Sequence, residues 1–114
     1  MFSFGIEHEV AFLNHQGKFA DFHNTKFADF QQIIDRLPIY ATDYPQLRVG
    51  DVGIKKKRWY IEGFERFSES EKVIDCLAKG IEIRTTIHST IQGAINELTT
   101  SFSLLSQVAA NFGF

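Results

Sequence analysis

Two alternating stretches, far apart in the chain, restrict what this sequence can fold into. From Phe2 to Leu13, Phe2, Phe4, Ile6, His8, Val10 and Phe12 fall on one side of an extended backbone. Ser3, Gly5, Glu7, Glu9, Ala11 and Leu13 fall on the other. From Gly80 to His88 the pattern returns, with Ile81, Ile83, Thr85 and Ile87 on one side and Glu82, Arg84, Thr86 and His88 on the other. A period of two with one apolar side describes strands whose sheet covers a core with one face only. His8 stands on the apolar side and is expected as a hydrogen-bonded core histidine.

The rest of the chain supplies partners for such a sheet. Asn14 to Lys18 reads as a turn, and Lys18 to Phe22 as a short returning strand. Phe27, Phe30, Ile33, Ile34 and Leu37 form a helical stripe within Thr25–Leu37, with Asn24 or Thr25 at the N-cap and Pro38 as the stop. Pro38 to Leu47 is a loop, and Gly50-Asp51-Val52-Gly53 a turn. Ile54 to Phe67 reads as a strand with a bulge at Gly63. Glu69 to Lys79 fits a short helix or a turn. Ser89 and Gln92 fit a capping box. Behind it, Ile91, Ile95, Leu98, Phe102, Leu105, Ala109 and Phe112 step by four and three, with Gly113 at the C′ position. The order predicts an α+β fold, an antiparallel sheet with helices packed on one face, as a single domain over residues 1–114.

Composition removes several function classes. With 12 Lys and Arg against 14 Asp and Glu, the formal net charge is −2, so the chain as a whole has no electrostatic pull towards nucleic acid or anionic lipid. One cysteine, Cys76, excludes an intrachain disulfide framework. The opening residues lack a basic signal-peptide start, and no apolar run is long enough to span a membrane, so the cytoplasm is the expected compartment. Twelve Phe against three Tyr and one Trp is a surplus of apolar surface for a 114-residue chain.

The chemistry is acidic and lies on strands. Glu7 and Glu9 share one side of the first strand, Glu82 the polar side of a later one, and Glu62 a strand between them. Converging carboxylates repel unless they are solvated, paired with Arg, or neutralised by a hard cation such as Mg²⁺. The plain alternative is an exposed face with ion pairs to Arg58, Arg66 and Arg84.

Gly5-Ile6-Glu7-His8-Glu9 on an apolar strand resembles the G-x-E-x-E opening of glutamate–cysteine ligases and related carboxylate–amine ligases. Gly80-Ile81-Glu82-Ile83-Arg84-Thr85, leading into a helix with Asn96-Glu97-Leu98, resembles the next part of the same module. The resemblance implies the N-terminal portion of a glutamine synthetase-like catalytic domain, whose sheet binds Mg²⁺ and ATP. The family's reaction activates the γ-carboxylate of glutamate as an acyl phosphate that an amine attacks. By position, the resemblance implies Glu7, Glu9 and Glu82 as metal ligands, and Asp75 as a further acidic ligand, with Glu62 or Glu65 as rivals for that place. Glu62, Arg84 and His88 are the candidate substrate contacts, and no catalytic residue is assigned. Family enzymes are several times longer, so the chain is expected to be either a piece of such an enzyme or a small relative, inactive by itself. Its expected partners are ATP, a glutamate-like carboxylate, an amine, and either the missing C-terminal part or a second copy.

Other signals carry less. Lys55-Lys56-Lys57-Arg58 reads as a solvated strand end, and Trp59 and Tyr60 lack an RNA-binding fingerprint. His15 and His23 read as loop residues, and Cys76 as a buried or incidental thiol. The last helix carries only one charge, Glu97. This points to contacts on more than one side of it and to a second function class, a non-catalytic interaction or oligomerisation domain.

Overall fold

A computed structural model describes residues 3–43 and 57–114, excluding the side chains at 64–65 and 73–76. The predicted turn at Gly50–Gly53, Lys55, Lys56, Phe2 and the side chains of Glu65, Asp75 and Cys76 lie outside the described residues.

Among the described residues the fold is α+β, with a small antiparallel sheet and two helices. β1 (Glu7–Val10), β5 (Val73–Arg84) and β4 (Trp59–Phe67) form one sheet in the order β1-β5-β4, while β2 (Phe12–Leu13) and β3 (Phe19–Ala20) form a separate hairpin. α1 covers Phe27–Arg36 and α2 covers Ile91–Ala110. The predicted first strand is therefore divided. Phe4 makes a lone bridge to His88, β1 follows, and the chain leaves the sheet at Ala11 to enter the hairpin.

Three further elements begin away from where the pattern put them. α1 is capped at Lys26 and not at Asn24 or Thr25. Glu69–Lys79 is neither helix nor wholly turn: the chain reverses between Ser68 and Lys72, and β5 already starts at Val73. The longer strand is stabilised by pairing with β4 along its whole length, which outweighs its weak alternation. α2 is capped by Thr90, whose hydroxyl accepts the Gly93 N–H at 3.1 Å, one residue later than the predicted cap. The bulge expected at Gly63 is present as a register shift between Glu62 and Gly63.

The pairing register makes the sheet two-faced. His8, Ile83 and Trp59 lie opposite one another, as do Val10, Ile81 and Ile61. Directly paired residues point to the same side, so this is the apolar face. Trp59, Ile81 and Ile83 bury there against Phe30 and Ile33 of α1 and Leu105 and Ala109 of α2. Trp59 keeps its indole N–H satisfied by donating to the Ser101 carbonyl at 3.0 Å. His8 departs from expectation. It is exposed rather than buried, because β1 is an edge strand and the helices do not reach over it.

The phenylalanine surplus divides in two. Phe12 and Phe30 are buried and meet Phe114 in a three-ring cluster, with centroids 6.0, 6.1 and 5.5 Å apart. Phe19, Phe22, Phe27, Phe67 and Phe102 remain exposed. The four-three seam of the last helix divides likewise: α2 buries Ala94, Ser101, Leu105 and Ala109, while Ile91, Ile95 and Phe102 face outwards.

Candidate functional site

The opposite face of the sheet carries the carboxylates. Glu9 of β1 pairs with Glu82 of β5, and Tyr60 of β4 pairs with Glu82 from the other side. Glu62 lies next to Gly80, one pleat further along. One oxygen from each of Glu9, Glu62 and Glu82 lies within 4.8 Å of the others. Like charges directly opposite on neighbouring strands disfavour the pairing, so the sheet holds these three together against their own repulsion.

Their surroundings differ. Glu82 is the anchor, 7 % exposed on the central strand. Glu9 is exposed and Glu62 half-buried, and both border a hollow of about 150 Å³ with Lys79 and Gly80. Gly80 keeps that hollow open and the strands close. A Cβ there would stand 2.6 Å from the Val10 carbonyl oxygen. Lys79 Nζ reaches Glu9 at 3.6 Å, an exposed pair worth at most about 1 kcal/mol.

Tyr60 and Arg84 frame the other end. Arg84 donates from Nη2 to the Tyr60 hydroxyl at 2.9 Å, and the Tyr60 hydroxyl in turn bonds Glu82. Burial and the Glu82 carboxylate push the Tyr60 phenol well above its ordinary range, against the opposing pull of Arg84. The phenol therefore stays a proton donor to Glu82. Arg84 Nε also lies 3.1 Å from Glu7.

The predicted site residues are thus sorted by the fold. Glu9, Glu82 and Glu62 converge. Glu7 is drawn to Arg84, its direct cross-strand partner. Asp75 pairs with Arg66 in the β4–β5 ladder, seven positions along β5 from Glu82. His88 lies beyond the end of β5, where it contacts Glu97 and Thr86.

A second ionic cluster was not foreseen. Arg58 makes a two-pronged bond to Asp43, Nε to Oδ2 and Nη2 to Oδ1, each 2.8 Å, and donates to Ser101 Oγ at 3.0 Å. Asp43 is 0 % exposed. Arg58 Nη2 also pairs with Glu97 at 3.1 Å, and its guanidinium stacks over Tyr40, 4.3 Å from the ring centre. Glu97 further accepts from the Thr86 hydroxyl at 2.8 Å and from His88. Burial alone would raise the Glu97 pKa. Hydrogen bonds from His88 and Thr86 and the charge of Arg58 outweigh it and hold the carboxyl below its ordinary value. Both His88 contacts run through Nε2, so the imidazole cannot pass a proton from Thr86 to Glu97 through opposite ring nitrogens as a nucleophile relay requires. This cluster joins β4, β5 and α2.

In the sequence Lys57 and Arg58 read as part of a solvated strand end, with Arg58 paired to the sheet acids as the plain alternative. Both turn inwards: Lys57 donates to the Ile34 carbonyl, and Arg58 is buried. The sequence signal for the cluster was Glu97, the lone charge of an otherwise uncharged helix, which needed a buried partner. Asp43 sits in a loop with no periodicity to mark it.

No protein-family model, curated protein or solved structure matches this chain. Among the described residues, no helix is long and apolar enough to cross a membrane.

Proposed function

We propose that the carboxylate face is a divalent-cation site, and that the chain serves as the Mg²⁺-holding module of an ATP-dependent carboxylate–amine ligase of the glutamate–cysteine ligase kind, built on a glutamine synthetase-like sheet. The observation that carries this reading is the convergence of Glu9, Glu62 and Glu82 within 4.8 Å across three strands. Their oxygens are hard donors suited to Mg²⁺ or Ca²⁺. Two ligand oxygens on opposite sides of a cation stand about 4.2 Å apart for Mg²⁺ and about 4.8 Å for Ca²⁺, so the donor set fits with small side-chain adjustments.

Glu82, held by the Tyr60 hydroxyl, would be the fixed ligand; Glu9 and Glu62 would close from the two outer strands. Binding would exchange the Lys79 ion pair for the cation. A cation here would neutralise the three carboxylates and offer its remaining positions to phosphate oxygens of ATP. Arg84, which contacts Tyr60 and Glu7 on the same face, would meet an anionic substrate group.

Calorimetric titration of Mg²⁺ and Mn²⁺, with and without ATP, tests the reading. One saturable site is expected, abolished by Glu9→Gln with Glu82→Gln and retained in Glu7→Gln, whose side chain belongs to Arg84. Absence of saturable binding at millimolar metal refutes it.

A further inference from the structure

We draw no further inference here: the strongest candidate, the uncharged outer flank of α2 with its exposed Ile91, Ile95 and Phe102, carries nothing because nothing among the described residues shows what covers it.

Discussion

The molecule gathers acids in two places and treats them oppositely. Around Arg58, the buried carboxylate of Asp43 and the half-buried one of Glu97 are charge-compensated, with Ser101, Thr86 and His88 adding hydrogen bonds. On the sheet, Glu9, Glu62 and Glu82 face one another, with one exposed lysine nearby. The first arrangement is complete in itself and ties three elements together. The second brings its charges close through the strand register, and the proposed cation would neutralise them. Acid density alone does not mark a site. What separates the two clusters is whether the acids already have a buried cationic partner.

Substitutions can break this contrast, beginning with the largest expected effect. Arg58→Ala leaves Asp43 as a buried, uncompensated charge and is expected to cost about 3–5 kcal/mol, lowering the melting temperature by more than about 10 °C. Thermal unfolding followed by circular dichroism checks it. A loss below about 1 kcal/mol would show that the cluster is solvated rather than sealed.

Acid sensitivity should separate the clusters next. The folded Glu97 carboxyl holds its proton less readily than the unfolded one. Its contribution to stability is therefore fully present above the unfolded value near 4.5 and is lost as pH falls through the lower folded value. Denaturant unfolding measured from pH 7 to pH 2 should fall in that window, and Glu97→Gln should be less stable at neutral pH with a flatter profile there.

The carboxylate face should respond with the opposite sign. Without metal, Glu9→Gln removes a like charge directly opposite Glu82 and is expected to stabilise by roughly 0.2–1 kcal/mol, less whatever the exposed Lys79 pair contributes. Millimolar Mg²⁺ should raise the melting temperature of the native chain and not that of the Glu9→Gln, Glu82→Gln double variant. A stabilising metal effect that survives the double substitution would place the cation elsewhere.

Much of the fold was legible in local pattern. Alternation gave Glu9 and Glu82 to the polar sides of their strands, and the hairpin, α1, the Gly63 bulge and α2 all stood near their expected positions. The failures share a cause. His8 was assigned to the core because alternation names a side without saying whether anything covers it at a sheet edge. Ile91, Ile95 and Phe102 joined the buried seam on spacing, yet the helix presents a different strip to the sheet. Arg58 reads as a solvated strand end or as a partner of the acidic face, yet β4 starts at the next residue and its side chain turns back towards Asp43.

By itself, the sequence determined which residues alternate, where α1 stops, and that its acids would stand on strand surfaces, because these follow from periodicity and backbone chemistry within a few residues. Only the tertiary structure decided that Glu9 meets Glu82, that Glu62 joins them while Glu7 turns to Arg84, and that Asp43 and Glu97 meet across Arg58. The reason is register. Pairing between strands some seventy positions apart fixes which side chains oppose one another, and a slip of one residue would put every carboxylate on the other face.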